Sequence, residues 1–214
     1  MQIAVLGTGR VGGQLARGLT AAGHRVVLGS RHPHAAAADA EAAVAVQTYA
    51  TAVAGSAVVI LAVPFAAAAE LVGGLGDLGG RILVDATNPF GADTGGRTGA
   101  QVIADAATNA RVVKAFNTIG AEHMIDARFP GGPAFALLAG DDEPARTEVA
   151  GLAEALGFEP VHLGGLDTAG HAEAAAALWV HLAFACGYGR DIGVGLLRRT
   201  EPPTNPDIPQ RSTR

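Results

Sequence analysis

Met1-Gln2-Ile3-Ala4-Val5-Leu6-Gly7-Thr8-Gly9-Arg10-Val11-Gly12 is the stretch that decides the fold. The apolar run Ile3 to Leu6 predicts a buried strand. The glycines behind it have the spacing G-x-G-x-x-G and open a helix expected from about Val11 to Ala22, stopped by Gly23 as a left-handed cap. Each glycine has its own task. Gly7 makes the tight turn, Gly9 lets the backbone approach a diphosphate with no Cβ between them, and Gly12 lets the helix pack close to the strand. Gly7, Thr8, Gly9, Arg10, Val11 and Gly12 are therefore expected to seat the bridge of a dinucleotide on the helix N-terminus, where free amides and the helix dipole favour negative charge.

Further along the chain, short β-branched runs alternate with helical or alanine-rich stretches. They are Arg25 to Leu28, Ala57 to Leu61, Arg81 to Val84, Arg111 to Lys114, Phe135 to Leu138 and Glu159 to Leu163. The pattern predicts an α/β fold: a Rossmann-type, doubly wound, mostly parallel sheet with a small C-terminal helical extension. A second helix is expected after Pro33. Gly91 to Gly99 reads as a long loop between a strand ending near Asp85 and a helix starting near Gln101, in the region where open α/β sheets bind ligands. Residues 1–140 are expected to form the nucleotide domain, 141–200 a small α/β and helical part completing the cleft, and 201–214 a flexible tail marked by Pro202, Pro203, Pro206 and Pro209.

An alanine-rich helix is expected from about Thr168 to Arg199, with Gly187 and Gly189 as the points where it can break. Ala175, Leu178, Trp179, Leu182 and Cys186 share one face of it, for packing on the sheet domain or on a second subunit, so a homodimer is expected.

The end of the second strand distinguishes between dinucleotides. An NAD site places Asp or Glu there to accept hydrogen bonds from the adenosine ribose, whereas this chain has Gly29-Ser30-Arg31-His32. A carboxylate would repel a 2′-phosphate, while the Ser30 hydroxyl and the planar fork of Arg31 can both donate to it. NADP(H) is the expected cofactor. An exposed arginine on a βα turn would be the plain structural alternative, and His32 reads as surface.

Composition removes several other classes. A net charge of −5 over 214 residues gives no basic face for nucleic acid. No segment has the roughly 20 uninterrupted apolar residues of a membrane helix, and the start lacks a secretory pattern, so a cytoplasmic location is expected. The single cysteine, Cys186, sits among apolar residues and is expected to be buried and inert. No metal-spaced cluster and no G-x-S-x-G elbow occur. Asp85 reads as a turn cap, Asp141-Asp142 as a helix start, and His123, His162 and His181 as structural.

Taken with Ala62-Val63-Pro64, Asp85-Ala86-Thr87-Asn88-Pro89 and Lys114-Ala115-Phe116-Asn117-Thr118-Ile119, the glycines and the Ser30-Arg31 pair carry a family resemblance. The chain resembles the NADP oxidoreductases dependent on coenzyme F420, an 8-hydroxy-5-deazaflavin, over nearly its whole length, through Leu178 to Ala183, Gly189 to Ile192 and Leu196 to Arg199. The segment through Asn117 also resembles the cytosolic domain of the STEAP metalloreductases. The resemblance implies that Ala62, Val63 and Pro64 lie beside the adenosine and ribose, although an ordinary strand-ending turn also explains Pro64. It implies that Asn88 and Asn117 flank the nicotinamide, with Pro89, Ala115 and Phe116 beside them. Taken alone, each asparagine is equally a loop cap.

The small-molecule redox partner implied by the family is F420. Hydride transfer between two stacked rings requires proximity and orientation more than a positioned acid, which fits a chain whose catalytic inventory holds little beyond Asn117 as an orienting amide. The chain departs from the family at Asp167 to Glu173, which is small-residue rich and carries His171. A flavin, a quinone-like metabolite or an imine therefore stands as an alternative acceptor, and an NADP(H)-sensing module as a non-enzymatic alternative.

Overall fold

Ile3 and Val5 are buried in one hydrophobic cluster and Ala4 and Leu6 in the other, because alternate residues of a strand face opposite sides of a sheet. Val58 and Ile60 divide from Val59 and Leu61 in the same way. A strand apolar at every position is stable only where helices cover both faces. The computed structural model, which describes residues 1–35 and 44–199, has that arrangement.

The chain runs β1 (Gln2–Leu6), α1 (Arg10–Ala21), β2 (Arg25–Ser30), β3 (Ala45–Thr48), α2 (Tyr49–Ala54), β4 (Val58–Leu61), α3 (Phe65–Gly74), β5 (Ile82–Asp85), α4 (Gly99–Ala106) and β6 (Arg111–Lys114). It continues through the small hairpin β7 (Arg128–Phe129) and β8 (Gly132–Pro133), then β9 (Phe135–Ala139), α5 (Glu143–Ala155), β10 (Glu159–Gly164) and α6 (Ala169–Val180). Eight strands form one sheet in the order β10, β9, β6, β5, β4, β1, β2, β3. All neighbours are parallel except β9 against β6. Helices α1 and α5 supply apolar residues to one face, and α2, α3 and α4 to the other. The strand order reverses direction on either side of β1, so the carboxyl ends of β1 and β4 flank a switch point, the place where such sheets leave a crevice.

The strand at Ala45–Thr48 is additional to the expected set. It is short, and its alanine-rich approach carries no alternation. The backbone is helical at residues 33–35, as Pro33 leads one to expect, while residues 36–43 and the proline-rich tail lie outside the described residues.

The last helix differs most from expectation. It does not reach Arg199: α6 ends at Val180, a wider π turn follows over His181–Ala185, and Gly187 and Gly189, both at φ +75°, turn the chain away. Its buried face is Ala169, Ala172, Ala176 and Trp179, continued by Ala183, while Leu178 is exposed. Nearly every residue of AGHAEAAAALWV tolerates burial, so periodicity could not select the face. The alanine stripe is the one that allows close approach. Cys186 follows the π turn and is exposed, not buried.

Beyond the π turn the chain folds back as a strap. Trp179 Nε1 donates to the Ile192 carbonyl at 2.9 Å, and Phe135 N to the Val194 carbonyl at 2.9 Å. Arg190 grips Glu122 with both prongs, at 2.6 and 2.9 Å, and its guanidinium lies 5.8 Å from the Trp179 ring centre and 5.6 Å from that of Phe184. These bonds hold the Glu122 carboxyl at about 2, below its ordinary 4.5. A depressed carboxyl contributes stability above its unfolded value and loses it as pH falls through the folded one. We expect Glu122→Gln to cost about 1 kcal/mol at pH 7, the pair being partly solvated, and to flatten the acid limb between pH 4.5 and 2, as read by denaturant unfolding across that range.

Candidate nucleotide-binding site

At the switch point, the Gly7 amide donates to the Gly29 carbonyl at 3.0 Å and the Ala62 amide to the Leu6 carbonyl at 2.9 Å, so the ends of β1, β2 and β4 are drawn together. Gly7 has φ +118°, and a Cβ there would stand 2.4 Å from the Ala62 carbonyl oxygen. A Cβ on Gly12 would stand 2.0 Å from the Gly7 carbonyl oxygen. On Gly9 it would meet nothing within 4 Å. The three glycines are thus distinct: one is required by conformation, one by helix–turn contact, and one leaves its surroundings open.

Above them is a cleft of about 370 Å³. Of the residues singled out from sequence, Gly7, Thr8, Gly9, Ser30, Arg31, Ala62, Val63 and Pro64 line it together. Among the described residues no carboxylate lines it, and Arg31 supplies a guanidinium. Ser30 is buried, and its Oγ accepts from the His32 amide at 3.1 Å, which leaves its own proton free to donate. His32, which read as surface, and Tyr49, which carried no motif, also line the cleft. Tyr49 begins α2 directly after β3, so only recognition of that strand would have placed it here.

The helix starts differ in capping, and α6, which follows a 3-10 turn, also begins without a side-chain cap. Helix α2 is capped by Thr48, α4 by Thr98 and Gln101 in a reciprocal box, and α5 by Asp142. Helices α1 and α3 begin at Gly9 and Pro64 with no side-chain cap and no acidic residue in the first turn. Free first-turn amides and an uncompensated dipole make such a start a seat for an anion. Arg10, the first residue of α1, is exposed, with Nη2 3.5 Å from Glu122 Oε2, and Val11 packs against the core.

The remaining expected residues lie farther along the same sheet edge, at the ends of β5 and β6. Asn88 Nδ2 donates to the Asn117 carbonyl at 2.9 Å, and Asn117 Nδ2 donates to Asn88 Oδ1 at 2.9 Å and to the Ala172 carbonyl at 3.0 Å. The two amides meet each other instead of capping separate loops. Asn117 Oδ1 is buried without a hydrogen-bond partner. Ala115 and Phe116 are buried, and Phe116 holds φ +60° with its ring edge-on to Phe158 at 5.8 Å. A left-handed non-glycine residue costs on the order of 1–3 kcal/mol and persists only where its surroundings fix it. Here it bends the chain that presents Asn117. Pro89 is half-buried beside exposed Phe90, at φ +38°.

Residues missed from the sequence complete this end. Asp85, read as a turn cap, does accept from the Thr87 amide and hydroxyl at 2.9 and 2.7 Å, but it also pairs with Lys114 at 3.0 Å, both side chains being fully buried. Glu173 accepts from the Gly99 and Ala100 amides at 3.1 and 3.2 Å. Among the described residues no helix is long and apolar enough to cross a membrane.

The family described as NADP oxidoreductase, coenzyme F420-dependent, matches residues 2–89. The chain is 31% identical to the F420-dependent NADP reductase of Methanothermobacter marburgensis over 85% of this chain and 92% of that one. It is 32% identical to the metalloreductase STEAP3 of Rattus norvegicus over 81% of this chain, but spans only 36% of that protein. A crystal structure from Arthrobacter sp. FB24, of a candidate F420-dependent NADP reductase, superposes with a TM-score of 0.76 at 31% identity, over 92% of this chain and 99% of the other. The likeness thus runs through sequence, sheet and length alike, and the chain belongs to the family of coenzyme F420-dependent NADP oxidoreductases.

Proposed function

We propose that this chain transfers a hydride between NADP(H) and coenzyme F420. The observation that carries the nucleotide half is the pairing of Ser30 and Arg31 in a cleft lined, among the described residues, by no carboxylate. The diphosphate would rest on the uncapped start of α1, over Gly9, and the 2′-phosphate on Arg31 and the Ser30 hydroxyl. The nicotinamide would lie toward Asn88 and Asn117, whose amides can pair with a carboxamide. From β2 through β1, β4 and β5 to β6 that edge covers four strand spacings, roughly 19 Å, a length suited to an extended dinucleotide. The two rings supply the hydride chemistry, and the chain's contribution is proximity and orientation, worth up to about 7–11 kcal/mol. F420 as the partner rests on the full-length relatives. A homodimer belongs to the same proposal, with exposed Leu178, Phe184 and Tyr188 as the surface for a second copy.

Mixing the purified protein with NADP and reduced deazaflavin should give turnover visible in the absorbance of both cofactors. No turnover, together with oxidation of NADPH by a flavin or an imine, would reassign the acceptor.

Arg31→Asp should weaken NADPH about 10- to 100-fold, the loss of a charged hydrogen-bonded contact, while sparing NADH. Equal titration of both nucleotides before and after the change would refute the 2′-phosphate assignment.

The glycines should separate fold from binding. Gly9→Ala should leave unfolding free energy within about 0.5 kcal/mol yet weaken NADPH and NADH alike. Gly12→Ala should cost on the order of 1–3 kcal/mol of stability, because its Cβ meets backbone.

A further inference from the structure

Lys114 is the only lysine in the chain, against fourteen arginines, and its side chain is fully buried. It stands at the carboxyl end of β6, in register with Asp85 at the end of β5. An ammonium has three protons and must find an acceptor for each when buried. Its Nζ lies 3.0 Å from Asp85 Oδ2, donates to the Thr87 carbonyl, and lies 3.7 Å from Glu173 Oε1. A planar guanidinium is bulkier than this ammonium, a ready reason why the one lysine of an arginine-rich chain occurs here.

Buried ion pairs are weak sources of stability, because desolvation offsets their attraction, so the cluster is better understood by what it holds. It holds Thr87. Asp85 accepts from the Thr87 amide and hydroxyl, and Lys114 donates to the Thr87 carbonyl, so every polar group of that residue is bound. The next residue is Asn88, paired with Asn117. From the other side, consecutive residues of α6 complete the enclosure: the Ala172 carbonyl accepts from Asn117, and Glu173 ties Lys114 to the first amides of α4.

We propose that Lys114 is a positioning residue for the redox end of the site: with Asp85 and Glu173 it fixes Thr87, and through Thr87 the Asn88–Asn117 amide pair that orients the nicotinamide. This rests on the NADP(H) assignment above. Lys114 itself touches neither nucleotide nor acceptor in this arrangement.

The test uses the full chain and the double variant Asp85→Asn with Lys114→Met. It removes both buried charges together, and the asparagine oxygen can still accept from Thr87. The hold on the Thr87 carbonyl is lost, and with it the contact to Glu173, whose carboxylate keeps the Gly99 and Ala100 amides. The variant should keep its melting temperature within a few degrees and its NADPH dissociation constant within about 3-fold, since the phosphate contacts are untouched. The fluorescence change of the nicotinamide on binding should diminish, and kcat with deazaflavin should fall about 10- to 100-fold, the scale of an ångström-level misplacement. In an Asn88→Ala background the same double change should lower kcat less than about 2-fold, because the link is already cut. Glu173→Gln, the milder variant, should move fluorescence and kcat in the same direction.

Unchanged fluorescence and kcat in a folded double variant would overturn the inference. If the double variant does not fold, an unaltered Glu173→Gln enzyme would overturn it. Failure of the unaltered protein to bind NADPH is a different result and would sink the nucleotide assignment itself.

Discussion

The Gly12 Cα sits so close beneath the Gly7 carbonyl that a single added carbon would lie 2.0 Å from its oxygen. From that contact the site follows. Helix α1 can approach the end of β1 only because neither residue has a side chain, and Gly7 then reaches the Ala62 carbonyl across the switch point. The closeness draws three strand ends into one rim and points the first amides of α1 across the crevice. A bulkier residue at either position would lift the helix and open the turn, and the anion seat would lose its geometry before any charge was altered.

Electrostatics then distinguish the cleft from the rest of the surface. In α2, α4 and α5 a hydroxyl or carboxylate takes a first-turn amide, and α6 is uncapped but follows a 3-10 turn. Helices α1 and α3 leave theirs open. The free N–H groups, the α1 dipole and Arg31 all favour negative charge, and among the described residues no lining carboxylate opposes them. The protein carries a net charge of −5 overall, so the attraction is a local construction, built from backbone and a single guanidinium.

What could be foreseen in the sequence was whatever depends on neighbours along the chain. The glycine spacing, the apolar strands and the Ser30-Arg31 pair are local signals, and the structure brings the last together with the glycines in one cleft. The strand Ala45–Thr48 was hidden by alanine, which suits helix and loop as well as edge strand, and with it went Tyr49. The end of α6 was hidden for the related reason that a helix apolar all round has no preferred face. Lys114 could not have been assigned, because its partners lie 29, 27 and 59 positions away, and no spacing rule connects Asp85, Thr87 and Glu173 to it.

The two ends of the site are built on different physics, and the difference suits the roles proposed for them. The Arg31 end is open and solvated, with contacts that act equally before and during any reaction, so it can contribute affinity without contributing rate. The Asn88–Asn117 end is bound on several sides: by a left-handed residue wedged against Phe158, by a carbonyl of α6, and by a buried charge cluster. Rigidity there is costly, since it maintains backbone strain and three desolvated ionic groups. Such an expense adds little to binding and is justified only where the position of an atom matters more than its attraction. The hydride transfer proposed above, which uses no positioned acid, would depend on that position, in keeping with an Asn88–Asn117 end that has few exposed charges.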